Sequence, residues 1–221
     1  MMRLGLLIPS SNVVLEPLAA QRTDYQVHVT RLGVWDVKLD AASRAQFAMD
    51  TQVAAAKLLQ DAKVDGIVWG GTSASWLGMV HDETFVHRVE AETGIPTTTC
   101  VLEINHQLNT LGAKRIGLVT PYTDDVAQQI NRNYETLGFE IAAWRADGGD
   151  VSNDFAKISE GVIEAMVREV AEQGVDAIVI MCTNLAGARL AERLTSNLAI
   201  PVIDSAQATL SLRRSFGRQS I

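Results

Sequence analysis

The chain repeats part of its own sequence, and this repeat restricts it to a fold of two similar halves. One matched pair shares a frame of arginine, an apolar residue, glycine, leucine and, three positions later, proline. Three matches occur in the same order at a nearly constant offset, which indicates an internal duplication. The pairs are residues 3–12 with 115–124, residues 64–73 with 175–184, and residues 94–97 with 199–202.

The matched apolar runs predict strands of a parallel sheet. They are rich in Ile, Val and Leu and lack polar alternation, which is typical of strands buried on both faces. Helical spacing predicts helices over residues 41–62 and 154–173, the second capped by Ser152 or Asn153. The predicted fold class is therefore α/β, with two pseudo-twofold-related Rossmann-like (flavodoxin-like) halves, parallel sheets and an interdomain active-site cleft.

The duplication also predicts the domain boundaries and the place of a site. We expect residues 1–111, completed by residues 205–221, to form the first half and residues 112–204 the second. Ligands of open α/β sheets bind at the carboxyl ends of the strands. The loops there should reach one ligand from opposite sides, and at equivalent positions they carry Gly71 and Cys182.

Composition and motifs exclude several classes of protein. The net charge of −7 argues against a nucleic-acid partner, and no apolar run is long enough for a membrane span. Two cysteines give no disulfide framework, which predicts a cytoplasmic protein. Metal-ligand spacings, a dinucleotide fingerprint and a Walker loop are all missing, so we expect neither a metal nor a cofactor. A small carboxylate or dicarboxylate, held by helix N-termini and backbone N–H groups, fits as the partner.

Cys182 is the strongest catalytic candidate. A free cysteine is commonly a small buried apolar residue, and we give Cys100 that interpretation. Cys182, however, follows a predicted strand and precedes a helical run, and a helix N-terminus lowers the pKa of a thiol. The sequence therefore predicts a reactive Cys182 with thiolate character.

Polar residues at the other strand ends are candidate ligand contacts. Thr72 and Ser73 are either helix caps or donors to a carboxylate. Tyr122 is either a buried phenol or a donor to substrate, and it occupies the repeat position of Ser10. Ser10 and Asn184 are also candidate substrate contacts. Asn12 is equally consistent with a helix cap and with a ligand contact.

The chain resembles the aspartate/glutamate racemase superfamily, and within it the branch of arylmalonate decarboxylases and maleate isomerases. The resemblance covers nearly the whole length. Its motifs are Pro-Ser-Ser-Asn at residues 9–12, Gly-Thr-Ser at 71–73, Thr-Pro-Tyr-Thr-Asp-Asp at 120–125 and Cys-Thr-Asn at 182–184.

The asymmetry between the halves decides which activity the resemblance implies. Racemases of the superfamily use one cysteine from each half, and maleate isomerases use the first-position cysteine as nucleophile. Gly71 disfavours both chemistries here. Arylmalonate decarboxylases share the order of glycine first and cysteine second. The resemblance therefore implies a lyase, a cofactor-independent decarboxylase of an α-substituted (aryl or alkenyl) malonate.

The resemblance also implies a role for each site residue. One substrate carboxylate would lie in a cradle that stabilises the enediolate formed as CO₂ leaves, and Cys182 would protonate its carbon. The implied cradle consists of Thr72, Ser73, Tyr122 and the backbone N–H groups around Gly71 and Thr183.

The chain also departs from the decarboxylases. Thr183 and Asn184 follow the cysteine where those enzymes have glycines, which would change the cradle. For the apolar pocket of the leaving carboxylate the candidates are Trp35, Val37 and Trp76.

Two alternative functions stay open. The first is a maleate cis-trans isomerase or a related isomerase. The second is a non-catalytic small-carboxylate binding module, in which Cys182 would be inert. The sequence also leaves the oligomeric state open, between a monomer and a homo-oligomer. The two-face geometry further predicts that Gly71→Cys adds racemase activity on a chiral α-aryl propionate.

Overall fold

Two parallel sheets of the same topology form the centre of the molecule. The computed structural model describes residues 1–211 and 216. The first sheet has the order β2-β1-β3-β4 and the second the order β6-β5-β7-β8. The strands are β1 (Met2–Pro9), β2 (Tyr25–Leu32), β3 (Gly66–Trp69), β4 (Thr97–Thr99), β5 (Arg115–Tyr122), β6 (Glu140–Gly149), β7 (Ala177–Ile180) and β8 (Val202–Asp204).

Helices connect the strands in both halves, which confirms the predicted α/β class. None of the helices within residues 1–211 is long and apolar enough to cross a membrane. They are α1 (Leu15–Ala19), α2 (Ala41–Ala45), α3 (Met49–Asp61), α4 (Ala74–Leu77), α5 (Met79–Thr93), α6 (Cys100–Leu111), α7 (Asp124–Thr136), a 3₁₀ helix (Ser152–Lys157), α8 (Glu160–Ala171), α9 (Ala188–Leu198) and α10 (Ser205–Leu210).

The duplication extends to individual hydrogen bonds. In the first half the backbone N–H of Arg3 donates to the Asp65 carboxylate at 2.6 Å, and the N–H of Asp65 donates back to the Arg3 carbonyl. In the second half the Arg115 N–H donates to the Asp176 carboxylate at 2.8 Å, with the same return bond. These reciprocal pairs fix the register of β1 on β3 and of β5 on β7, because each aspartate stands just before its strand.

The two long predicted helices are each interrupted. Residues 41–62 form α2 and α3, separated at residues 46–48, where the Trp35 N–H donates to the Gln46 side chain and Phe47 is buried. Residues 154–173 begin in a 3₁₀ helix that places Phe155 against the Tyr122 ring. Tertiary burial of an aromatic residue therefore overrides helical spacing at both places.

The predicted cap of the second helix is wrong for the same reason. Ser152 and Asn153 belong to the 3₁₀ helix, and α8 begins six or seven residues later than those caps would place it. Its N-cap is Ser159, whose side chain accepts from the backbone N–H of Val162.

One continuous apolar core joins the two sheets. It includes Trp69 and Trp76 of the first half together with Tyr122 and Cys182 of the second. Helix α10 packs on α6 and on α1. The boundary after residue 111 stays a prediction, and residues 212–215 and 217–221 of the expected completing segment lie outside the described residues.

Candidate active site

A small enclosed cavity lies at the carboxyl ends of both sheets. Its volume is about 30 Å³, which is room for about two water-sized groups. Eight of the nine predicted site residues line it, and their roles in catalysis and binding stay predictions. The eight are Asn12, Gly71, Thr72, Ser73, Tyr122, Cys182, Thr183 and Asn184.

Tyr122 connects the two halves across this cavity. Its phenol oxygen lies 2.8 Å from the Thr72 hydroxyl, and its interaction with the Cys182 thiol lowers the pKa of that thiol. The ring packs edge-on against Phe155, with centroids 5.4 Å apart. Burial raises the pKa of Tyr122 well above its ordinary value, so the phenol keeps its proton and can donate it to an oxyanion.

Cys182 is buried and protonated. Burial raises the pKa of its thiol to about 11, although hydrogen bonds from Tyr122 and from the backbone N–H of Asn184 act in the opposite direction. The Asn184 N–H lies 3.4 Å from the sulfur. A neutral thiol at pH 7 suits proton donation and is a poor nucleophile.

The expectation of a lowered pKa at Cys182 is therefore wrong. It depended on a helix that starts directly after the cysteine. Helix α9 begins only at Ala188, after a turn, so no helix N-terminus points at the sulfur. Burial among apolar side chains then dominates the pKa.

The first-half loop supplies polar donors. The Trp69 indole N–H donates to the Ser73 hydroxyl at 3.1 Å, and the Ser73 side chain makes no cap bond. The backbone N–H groups of Thr72, Ser73 and Thr183 have no acceptor within residues 1–211. Since these residues line the cavity, their N–H groups are available to a carboxylate.

Asn12 and Thr183 tie the halves together beside the cavity. The Asn12 side-chain amide donates to the Thr183 hydroxyl at 3.1 Å, and that hydroxyl donates to the Gly70 carbonyl at 2.9 Å. The Asn12 amide oxygen accepts from two N–H groups at the start of α1. Asn12 is thus a local cap as well as a cavity-lining residue.

Asn184 has a similar tying role. Its amide donates to the Ser152 carbonyl at 2.7 Å and accepts from the Val13 N–H at 2.9 Å. Its hydrogen bonds therefore hold loops of both halves around the cavity. The side chains of Thr183 and Asn184 therefore use most of their hydrogen-bonding capacity within the protein.

Ser10 is the one predicted site residue outside the cavity. Its hydroxyl donates to the Val34 carbonyl and accepts from the Val34 N–H, both at 3.1 Å. Tyr122 occupies the equivalent repeat position and reaches across to Thr72. The difference is one of length, because a serine hydroxyl reaches only the neighbouring backbone.

Apolar side chains form most of the rest of the cavity lining, here called the apolar wall. Of the candidates, Val37 and Trp76 line it, whereas Trp35 is 63% exposed and lies outside. No lysine, arginine or histidine is among the lining residues within 1–211. Four further apolar residues line the cavity and were not among the candidates: three lie outside the repeat matches, and Trp69 lies within the matched segment 64–73 as an apparent core residue of a strand. They are Val34, Phe47, Trp69 and Phe155.

Two loops, one from each half, close the mouth. Asp36 and Val151 form an isolated antiparallel bridge, supported by backbone bonds from Val37 to Asp150 and from Ser152 to Trp35, both 3.0 Å. A larger open groove of about 500 Å³ between α6, β8 and α10 contains none of the predicted site residues. Within the described part of the chain, no group of three metal-ligating side chains comes together.

The fold and this cavity define a class: a duplicated parallel α/β protein with a site enclosed between its halves. The chain belongs to the arylmalonate decarboxylase family, an enzyme family whose sequence profile matches residues 4–215. The resemblance drawn from the four motifs is thereby confirmed.

Named relatives lie on both sides of the branch. The chain is 26% identical to the maleate isomerase of Nocardia farcinica over 227 residues, covering 93% of this chain and 86% of that protein. It is 20% identical, with a TM-score of 0.88, to a liganded double mutant of arylmalonate decarboxylase, covering 100% of this chain and 94% of the other. That second likeness establishes the fold.

A third structure comes from the isomerase side. It is a mutant of the Nocardia farcinica maleate cis-trans isomerase with a covalently bound succinylcysteine intermediate. It is 27% identical with a TM-score of 0.84, covering 97% of this chain and 92% of the other.

Proposed function

We propose that this protein is a cofactor-independent decarboxylase of α-substituted malonates, with an aryl or alkenyl substituent. The observation that carries the proposal is the protonated thiol of Cys182, placed opposite a glycine. A decarboxylase needs a proton donor at this point, whereas an isomerase of the covalent type needs a thiolate.

The first step is binding of the carboxylate that stays. The Thr72 and Tyr122 hydroxyls and the backbone N–H groups of Ser73 and Thr183 hold it by hydrogen bonds alone. The described lining contains no cationic side chain. Neutral donors stabilise the charge that develops on this carboxylate without fixing a charge elsewhere in the site.

The second step is loss of CO₂. The leaving carboxylate faces the apolar wall that contains Val37, Phe47 and Trp76, where its charge is poorly solvated. The bond between the α-carbon and this carboxylate breaks, and its electron pair enters the enediolate held by the donors. Carbon dioxide is neutral, so the apolar wall favours the product of this step over the reactant.

Protonation completes the reaction. The Cys182 sulfur gives its proton to the α-carbon, and the resulting thiolate takes a proton from water when the site opens. The hydrogen bond from Tyr122 and the N–H of Asn184 stabilise that transient thiolate. Since the closed cavity holds only about 30 Å³, substrate binding requires the loops bridged at Asp36 and Val151 to part.

Maleate isomerisation is the second candidate, and identity to the maleate isomerases favours it. Against it stands Gly71, which has no side chain to add to a double bond. The only thiol at the cavity within residues 1–211 is Cys182, and its proton is held tightly. The binding-module alternative gives no role to the Cys182 thiol that lines the cavity.

A ¹H NMR assay in D₂O separates these functions. Phenylmalonate, 2-methyl-2-phenylmalonate and maleate are offered separately to the wild type, to Cys182→Ala and, as the matched control, to Cys100→Ala. We expect the malonates to lose CO₂ and gain deuterium at the α-carbon, with loss of turnover in Cys182→Ala only. Turnover of maleate alone would move the protein to the isomerases, and inactivity with all three would leave the binding module.

A further inference from the structure

The indole of Trp69 lies directly on Gly71. A Cβ atom built at Gly71 would lie 2.4 Å from Cζ2 and 2.6 Å from Cε2 of that ring. Carbon atoms in van der Waals contact stay about 3.5 Å apart or more. Position 71 therefore has no room for any side chain while Trp69 keeps its place.

The ring of Trp69 is fixed on several sides. It is fully buried, and its Nε1–H donates to the Ser73 hydroxyl at 3.1 Å. Phe47 packs edge-on against it, with ring centroids 6.4 Å apart. A buried ring held by a hydrogen bond and an aromatic contact does not swing aside at low cost.

The second half has a different residue at the repeat position of Trp69. That residue is Ile180, 111 positions further along, and its side chain lies toward Gly187. Cys182 therefore has the space that position 71 lacks. The planar enediolate has two faces, and the duplicated frame directs position 71 toward one and Cys182 toward the other.

We propose that Trp69 is the residue that determines the stereochemistry of this site. Its indole fills the space where a first-half proton donor would stand and excludes water there, so that only the Cys182 face of the intermediate receives a proton. This inference rests on the proposed function. It also corrects the expectation for Gly71→Cys, since a new thiol at position 71 has no room beside the intact indole.

The placement of Trp69 can be tested without any activity. In a stability cycle, Gly71→Ala is measured in the wild type and in the Trp69→Leu background, with Trp69→Phe as a milder variant. We expect the alanine to lower Tm by about 5 °C next to the indole and by less than half of that once the ring is reduced. The matched control is Trp144→Leu, which makes the same substitution in β6 away from the cavity and should leave the alanine penalty unchanged.

The stereochemical role is tested by the product of 2-methyl-2-phenylmalonate on a chiral column. We expect one enantiomer from the wild type and from Trp144→Leu, and at least a tenfold larger share of the minor enantiomer from Trp69→Leu or Trp69→Phe. In addition, the double variant Trp69→Leu/Gly71→Cys should exchange the α-hydrogen of 2-phenylpropionate in D₂O, whereas Gly71→Cys alone should not.

The outcomes distinguish this inference from the proposed function. Equal alanine penalties in both backgrounds, or an unchanged enantiomer ratio in the Trp69 variants, would overturn the role of Trp69 even in an active decarboxylase. If the wild type decarboxylates no malonate, the proposed function fails and the stereochemical role falls with it. The stability cycle then still decides whether Trp69 is what requires glycine at position 71.

Discussion

The two halves share strand order, parallel register and the aspartate pairs that fix that register, yet they differ where a ligand would lie. The first half presents Gly71 under an indole, and the second presents Cys182 with a tightly held proton. The duplicated frame brings both positions to one cavity. The chemistry of the site therefore depends on the positions at which the two halves carry different residues.

A second difference between the halves is the reach of equivalent side chains. Ser10 stays on its own side and bonds the Val34 backbone, while Tyr122 crosses to Thr72. The second half thus contributes both the proposed proton donor and the phenol beside it. The first half contributes mainly hydroxyls and N–H groups, which suits it to hold a carboxylate rather than to react with it.

Removing the thiol should have the largest effect on this division of labour. We expect Cys182→Ala to lower the decarboxylation rate by about 10³-fold, because no other acid faces the α-carbon. Cys100→Ala should stay within about threefold of the wild type, since that sulfur is buried against the Ser205 carbonyl away from the cavity. CO₂ release at saturating phenylmalonate measures the rates of both variants. An equal loss of rate in Cys182→Ala and Cys100→Ala would contradict the role of Cys182 as the proton donor of the second half.

The phenol of the second half should come next. Tyr122→Phe removes the phenol that hydrogen-bonds the Thr72 hydroxyl beside Cys182, and we expect kcat to fall about 10²-fold. The matched variant is Tyr134→Phe, because Tyr134 has a buried hydroxyl with no partner within residues 1–211. Tyr134→Phe should keep its activity and lose no stability. If both variants have the same kcat, the Tyr122 hydroxyl has no role in turnover.

The pH profile should follow the second half alone. In the proposed reaction Cys182 acts as an acid, and burial raises the pKa of its thiol to about 11. We therefore expect kcat to be level from about pH 6 to 9 and to fall to half near pH 11. A thiolate nucleophile would give the opposite slope, with activity rising over that range.

The same shift affects stability, so the fold must be followed in parallel. The pKa of Cys182 in the folded state lies above its unfolded value of about 8.5. The stabilisation is therefore complete below that value and is lost as the pH rises toward about 11. Circular dichroism at each pH separates a loss of fold from a loss of the acid.

The smallest effect concerns a buried carboxyl in each half. Asp204 ends β8, and Asp82 hydrogen-bonds Thr99 at the equivalent end of β4. Burial raises the pKa of both to about 7. Because the folded pKa lies above the unfolded one, their contribution is complete below about pH 4 and is lost as the pH rises to about 7.

Amide variants test this carboxyl pair. Asp204→Asn keeps the oxygen that accepts from the Gln207 N–H and removes the charge. We expect Tm at pH 8 to rise by about 2–4 °C and its decline between pH 4 and 7 to become shallower, with Asp82→Asn giving a similar change. A lower Tm at pH 8 for Asp204→Asn would contradict the statement that burial disfavours the charged form of the Asp204 carboxyl.

The sequence predicted the frame well because a duplication repeats its signals. The apolar runs that became β1, β3, β5 and β7, and the strand-end motifs, were all visible twice. The helix interruptions at Phe47 and Phe155 had no such signal, because tertiary contacts determine whether an aromatic ring turns into the cavity. The raised pKa of Cys182 was missed for the same reason, since local sequence does not report burial.

The site was predictable in membership and less so in detail. Eight of the nine candidates line the cavity, as the shared strand ends require. What Ser10 and Trp69 do depends on reach and volume, and neither quantity is visible in a strand-end motif. Trp69 in particular reads as an ordinary core residue of β3.

The closed, protonated state of Cys182 has a consequence for the durability of the protein. Peroxides attack thiolates that solvent can reach, and they convert them to sulfenic acid and beyond. Cys182 is only 4% exposed as a residue, and its thiol keeps its proton at neutral pH. The burial that keeps the Cys182 thiol protonated for transfer to carbon thus also shields it from oxidants. The sulfur is open to oxidation only while it is a thiolate, after it has given its proton to the intermediate.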